Sequence, residues 1–179
     1  MRNKMYNFRA AMAALAIALA GIGSSDAFAQ ASATATANSS AVIANPIAIT
    51  NTAALNFGEI VAGSTAATVV VTAAAAPTRT LAGAADAFLV TSAISSAAFN
   101  ISGRAAATFA VTLPASATLT SGANTMTVNT FTHSLGATPT LPAAASQPLA
   151  MYVGGTLNVG ASQAAGTYNG SFSVTVAYN

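Results

Sequence analysis

The sequence predicts an all-β protein, a β-sandwich built from many short strands, and two observations support this fold class. Short runs rich in Val, Ile, Thr, Phe and Tyr alternate in hydropathy and are separated by Gly, Pro, Asn and Ser, as strands and turns are. No stretch of the chain beyond residue 29 sustains the apolar period of a helix. The chain has no cysteine, so packing and backbone hydrogen bonds must stabilise it without disulfides.

Residues 1–29 have the three-part pattern of a cleavable signal peptide. A basic start precedes an apolar stretch at residues 10–21, which is short for a membrane span, and residues 27–29 form a small-x-small cleavage site. We therefore expect export through the periplasm to the cell surface or the extracellular space. The mature chain is expected to contain no transmembrane segment.

Removal of the signal peptide leaves a chain with almost no charge. Its cations are Arg79 and Arg104, its anions are Glu59 and Asp86, and His133 is its only imidazole. Proteins that bind nucleic acid or anionic membranes present basic patches, so we predict neither partner. A surface of Ala, Ser, Thr and Asn with so little charge favours self-association instead.

The same scarcity of charge argues against an enzyme. Glu59 and Asp86 lie in different predicted segments, whereas a paired acid and base must lie within a few ångströms of each other. No Gly-x-Ser-x-Gly motif accompanies His133, and one histidine with two carboxylates does not make an ordinary metal site. We predict a protein without catalytic residues, cofactor or metal.

The strands are predicted, in chain order, at residues 41–50, 54–60, 66–74, 87–94, 98–102, 106–113, 117–120, 125–132, 149–153, 156–159 and 167–177. A hairpin is expected at residues 121–124, and a second one at Gly154-Gly155 because paired glycines accept the positive φ of a tight turn. Pro114 and Pro142 should end strands, since proline cannot donate to the ladder. Residues 138–148 are predicted to form a loop.

A leader at residues 30–40 precedes the sandwich domain, which is predicted at residues 41–179. From residue 31 to 49, eight of the ten odd positions are apolar and the even positions begin as Ser, Thr, Thr, Asn and Ser. Such a length exceeds an ordinary strand of about five or six residues, so we expect two strands with a break near Ser39-Ser40 or Asn45-Pro46. The candidate donor residues of the leader are Ala31, Ala33, Ala35 and Ala37.

The last strand is predicted to be long and to lie at a sheet edge. Its large side chains share one face, and they are Phe172, Val174, Val176 and Tyr178. A hairpin at Asn169-Gly170 is the alternative, but the alternation continues through that dipeptide. Leaving these side chains uncovered would forgo roughly 1.5–3 kcal/mol each. The leader is the candidate cover, either folded back on its own domain or inserted into a second copy by β-strand addition.

Two short motifs resemble known families. Residues 55–58, Leu-Asn-Phe-Gly, follow the alternating leader, and residues 166–168, Gly-Thr-Tyr, lead into the alternating residues 172–176 with Tyr178 near the end. Together they resemble a family of secreted bacterial proteins known only as a domain of unknown function and, more distantly, spore coat protein U and the archaic chaperone–usher pilins. The resemblance spans most of the mature chain.

This resemblance implies an incomplete immunoglobulin-like antiparallel β-sandwich with an N-terminal donor-type strand. It also implies a periplasmic chaperone and an outer-membrane usher as partners, and polymerisation by donor-strand exchange. Residues 31–38 would then be the donor, and residues 167–178 would border the acceptor groove. The chain departs from the pilin pattern because it has no cysteine and because its donor face is alanine rather than a larger residue.

Two functions follow from these expectations. The first is a structural subunit of a bacterial surface filament or fimbria, assembled by β-strand complementation. The second is a monomeric secreted or periplasmic β-sandwich that serves as a binding or adhesion module, with the leader folded back as its own edge strand. Deleting the leader should abolish oligomers in the first case and destabilise a monomer in the second.

Overall fold

The computed structural model describes residues 32–144 and 147–179, and every regular element in these ranges is a β-strand. The predicted signal peptide and Ala31 lie outside the described residues. Residues 42–179 form one compact unit, whereas residues 32–41 are exposed and contain no strand. The described part of the chain contains no helix with the length and hydropathy that a membrane span requires.

The described residues form eleven strands. In chain order they are β1 Ala48–Ala53, β2 Ile60–Val61, β3 Ala67–Val71, β4 Arg79–Ala82, β5 Phe88–Leu89, β6 Ala97–Ser102, β7 Phe109–Thr112, β8 Ser116–Ser121, β9 Asn124–His133, β10 Leu149–Val159 and β11 Thr175–Tyr178.

The main sheet has seven antiparallel strands and is organised around β10. Val153 of β10 pairs with β6 and also with β9 at His133. Leu157, further along β10, pairs with Val69 of β3 and with Val128 of β9. Because a strand has only two edges, β9 occupies one edge of β10 while β6 and β3 follow each other along the other. Strand β1 extends this sheet beyond β6, β4 extends it beyond β3, and β8 extends it beyond β9.

Two small sheets complete the fold, each of two antiparallel strands: β2 with β5, and β7 with β11. The predicted fold class, an all-β antiparallel sandwich, is confirmed.

The apolar core consists of two clusters. The first lies around β3 and the second half of β10, with partly buried residues of β2 and β5 packed against it; its buried members are Phe57, Ala67, Val69, Val71, Ala84, Ala87, Val128, Leu157 and Val159. The second lies around β6, β7 and the first half of β10, with partly buried residues of β11 packed against it; its buried members are Ala97, Ile101, Phe109, Leu141, Met151 and Val153. Each small sheet therefore covers one cluster.

The hairpin predicted at Gly154-Gly155 is wrong, because β10 runs through both glycines as one strand. Neither glycine has a positive φ. A Cβ on Gly154 would collide with the backbone of residues 71–73, and one on Gly155 would press on the side chains of Val128 and Phe131. These glycines are needed for close packing rather than for a turn.

Other local predictions are confirmed. Strands β8 and β9 form the hairpin at residues 121–124, with Gly122 at a φ of 60°. Strand β7 ends before Pro114, and the described residues of the predicted loop contain only a bridge between Thr108 and Thr140. Strand β4, in contrast, is not predicted by the sequence, because it is short and lacks a clear alternation.

The predicted final strand at residues 167–177 is too long. Asn169 exchanges backbone hydrogen bonds with Thr120 of β8, at 2.8 and 3.0 Å, and only residues 175–178 pair with β7. The chain therefore leaves the edge of the main sheet and joins the small sheet. The first predicted strand, at residues 41–50, is displaced, because β1 begins at Ala48 and continues to Ala53.

Candidate functional site

The candidate functional site is the edge of β11 that faces away from β7. In the pairing of these two strands, Val176 lies opposite Val111 and Tyr178 lies opposite Phe109. The Phe109 N–H donates to the Pro139 carbonyl, on the other side of β7 from β11. Backbone groups alternate in direction along a strand, so the N–H and C=O groups of Val176 and Tyr178 point away from β7. Among the described residues no strand pairs with this edge.

The four predicted acceptor-edge residues lie along one stretch of chain beside the second core cluster. Phe172, Val174 and Val176 are half-buried and pack against that cluster. The ring of Phe172 lies 4.7 Å from that of Phe131, centroid to centroid. Tyr178 shares the inner face of the small sheet with Val176 and is 37% exposed. The inner face of this stretch is therefore only partly buried.

The Tyr178 hydroxyl connects the end of β11 to two other segments. It accepts a hydrogen bond from the Arg104 N–H at 2.7 Å and donates one to the Asn45 carbonyl at 2.9 Å. Asn45 lies just before β1, so this contact holds the segment before β1 at the C-terminal end of β11. Sequence reasoning did not find this contact, since no local pattern links residues so far apart.

The leader presents its residues to solvent. Ala33, Ala35 and Ala37 are exposed and lie in no regular element, while Ala31 is outside the described residues. Just after the leader, Val42 and Ile43 are 92% and 97% exposed. The alternation contained Ile43, but the sequence alone did not indicate that both large side chains lack cover.

The charged residues are used for local structure. The Arg79 guanidinium donates to the carbonyls of Phe57, Glu59 and Val90, at 2.7, 3.1 and 2.5 Å. A hydrogen bond from the Ser64 N–H to Asp86, at 2.7 Å, and a second bond from the Ser64 side chain lower the pKa of the Asp86 carboxyl.

His133 lies at the end of β9 and lines a groove of about 430 Å³ together with Val111, Leu113, Phe131 and Leu135. Its Nδ1 is buried and has no hydrogen-bond partner within the described residues. The described residues contain no group of three His, Cys, Asp or Glu that could hold a metal ion. The candidate functional site is therefore the open edge of β11.

Comparison with known proteins gives one match. A domain of unknown function, DUF4402, matches residues 47–178, which include every strand of the structure. Neither the curated proteins nor the solved structures include a match to this chain.

Proposed function

Because this chain belongs to the DUF4402 family, described as a domain of unknown function, we propose its function from the geometry of β11. The protein is a non-catalytic structural subunit of a bacterial surface filament or fimbria. Its copies join by β-strand complementation, in which the leader of one copy adds to the β11 edge of the next. The observation that carries this proposal is the outward direction of the backbone groups of Val176 and Tyr178.

An open strand edge is a template for another strand, and natural proteins usually protect such edges with charges, proline or a bulge. The sequence of β11, Thr-Val-Ala-Tyr, contains neither a charge nor proline. An added strand would satisfy the free backbone groups and cover the half-buried side chains on the inner face. Both gains favour occupation of the edge.

The leader has the properties of such an added strand. It alternates small apolar with polar residues, its described part is exposed, and it forms no strand within its own chain. The mature chain has two cations and two anions, Arg79 and Arg104 against Glu59 and Asp86, so little charge repulsion opposes assembly.

The setting of this assembly belongs to the proposal as well. The predicted signal peptide would deliver the chain to the periplasm and then to the cell surface. The distant resemblance to spore coat protein U and the archaic pilins suggests a periplasmic chaperone and an outer-membrane usher as partners. The comparisons find no link to those groups, so these partners rest on the short motifs alone.

The proposal is tested on the mature chain, residues 30–179, by light scattering at rising protein concentration. We expect oligomers that disappear when residues 30–40 are deleted. Val176→Pro removes a free-edge N–H and should block assembly while leaving the fold intact, since proline is tolerated at an outward edge position.

Thr175→Pro is the matched control, because the N–H of Thr175 points toward β7 and its loss should destabilise the fold. A mature chain that stays monomeric at every concentration would contradict the proposal. Unimpaired assembly of the folded Val176→Pro variant would also contradict it.

A second function is favoured by one observation, the hydrogen bond from Tyr178 to Asn45. This bond holds Asn45, five residues after the end of the leader, beside the end of β11, and in this second function the leader covers the edge of its own domain. The protein would then be a monomeric secreted or periplasmic binding or adhesion module. In that case deletion of residues 30–40 lowers the melting temperature of a monomer and has no effect on its association state.

A further inference from the structure

Ile43 and Val42 are the most exposed large apolar side chains of the described residues, at 97% and 92%. They follow the leader directly and precede Asn45, whose carbonyl is bound by Tyr178. Adjacent residues of a strand point to opposite faces, so only one of the two can enter a groove when this segment is extended. The alternation decides which one.

Ile43 has the parity of Ala33, Ala35 and Ala37, whereas Val42 has the parity of the Ser and Thr positions. On the apolar face from residue 31 to 43, Ile43 is the largest side chain. Pro46 lacks an N–H and therefore marks the end of an extended segment at Asn45. A strand that reaches from the leader to residue 44 thus carries one large anchor, Ile43.

We propose that Ile43 is the anchor by which one copy of this chain occupies the β11 edge of a second copy, packing beside Val174 and Val176. This inference rests on the proposed function and specifies the residue that makes the assembly stable. Val42 then faces outward and contributes little to it.

The geometry favours a second copy over the same chain. Ile43 lies two positions before Asn45, a reach of about 7 Å at most, so Ile43 of the same chain can approach only the Tyr178 end of β11. The Tyr178 side chain occupies that end, because its hydroxyl extends to Asn45 and Arg104. Ile43 of another copy is free of this tether and can lie beside Val174.

Strand direction leads to the same conclusion. The segment up to Asn45 and β11 both approach the Tyr178–Asn45 contact with their C-terminal ends, so pairing within one chain must be parallel. A second copy can pair in the antiparallel direction, which is slightly more stable per residue.

The test compares Ile43→Ser with Val42→Ser in the mature chain. Both side chains are almost fully exposed, so neither change should alter the stability of the isolated domain. We expect Ile43→Ser to raise the dissociation constant of self-association at least about tenfold, as for the loss of one buried aliphatic side chain, and Val42→Ser to change it less than about twofold.

A mixing experiment tests occupation between copies. The Val176→Pro variant can only donate its leader strand, because its own β11 edge is blocked. The variant that lacks residues 30–44 can only accept a leader strand, because it has none of its own. We expect a one-to-one complex between them, which is lost when Ile43→Ser is added to the donor and kept when Val42→Ser is added.

The outcomes separate this inference from the proposed function. If the unmodified mature chain never associates, both are wrong. If it associates but Ile43→Ser and Val42→Ser have equal effects, the Ile43 inference is overturned while assembly through β11 stands. If the mixed chains form no complex, a leader does not add to the β11 edge of another copy, and both proposals are overturned.

Discussion

Arg79 is a cation that acts as a cross-link between main-chain segments. Its half-buried guanidinium donates to the carbonyls of Phe57, Glu59 and Val90, so it joins the start of β4 to the chain just before β2 and just after β5. A guanidinium suits this role because its donors are fixed in a planar fork. In the sequence Arg79 indicates only one unit of positive charge, because carbonyl partners leave no signature there.

Replacing Arg79 with lysine should destabilise the fold. An ammonium keeps the charge but cannot reach three carbonyls with the geometry of the fork, so we expect a loss of about 1–3 kcal/mol in the free energy of unfolding. Urea denaturation of Arg79→Lys measures this loss. The control is Arg104→Lys, since the Arg104 side chain is exposed and makes no hydrogen bond within the described residues; an equal loss in both variants would contradict the cross-link.

The Asp86 carboxylate contributes to the pH dependence of the free energy of unfolding. Its pKa is lowered, mainly by the hydrogen bond from the Ser64 N–H. Ionised Asp86 therefore stabilises the fold above its unfolded-state pKa of about 4, and this contribution is lost as pH falls through the lower folded-state pKa. We expect Asp86→Asn to flatten the decline in unfolding free energy below about pH 4. An unchanged acid slope in Asp86→Asn would show that this carboxylate does not set it.

At the scale of elements, β10 depends on close approach between backbones. Gly154 lies so near residues 71–73 that a Cβ would meet the Val71 carbonyl. On the other edge, β9 places two residues, Thr130 and Phe131, opposite Gly155, and Thr130 takes a φ of 50°. This bulge and the two glycines occur where β10 changes partner from β6 to β3.

Gly154→Ala should therefore destabilise the protein by about 1–3 kcal/mol or more, because backbone atoms cannot move aside as a flexible side chain can. Thermal unfolding compared with Gly136→Ala provides the measurement. A Cβ at Gly136 meets nothing within 4 Å, so that variant should be neutral or slightly stabilised. Equal stability of the two variants would mean that Gly154 is not packed as tightly as the structure shows.

Strand β11 illustrates what alternation predicts and what it does not. The shared parity of Phe172, Val174, Val176 and Tyr178 predicts one common face; the first three pack against the second core cluster, whereas Tyr178 is 37% exposed. It did not predict that Asn169 pairs with β8 while only residues 175–178 pair with β7. The side-chain pattern along a chain is the same whichever strand provides the backbone partner.

On the scale of the whole molecule, the core consists of two clusters. Beside the second cluster lies the small sheet of β7 and β11, and among the described residues no strand pairs with the outer edge of β11. The outward backbone groups of Val176 lie at that edge, and the exposed Ile43 lies in the segment proposed to fill it. The near absence of charge in the mature chain leaves little repulsion between copies. Assembly through this edge, proposed above, would satisfy these features together.

Local sequence patterns are enough to predict the all-β class, the hairpin at residues 121–124, the strand end before Pro114 and the shared face of the last large side chains. Each of these depends on local chemistry: alternation, a glycine that accepts positive φ, and a missing N–H. Contacts between distant segments, in contrast, continue the strand through Gly154-Gly155, limit β11 to four residues and bring Tyr178 to Asn45. Those outcomes depend on which distant segments meet. The sequence around a glycine or a tyrosine is the same whichever segment packs against it.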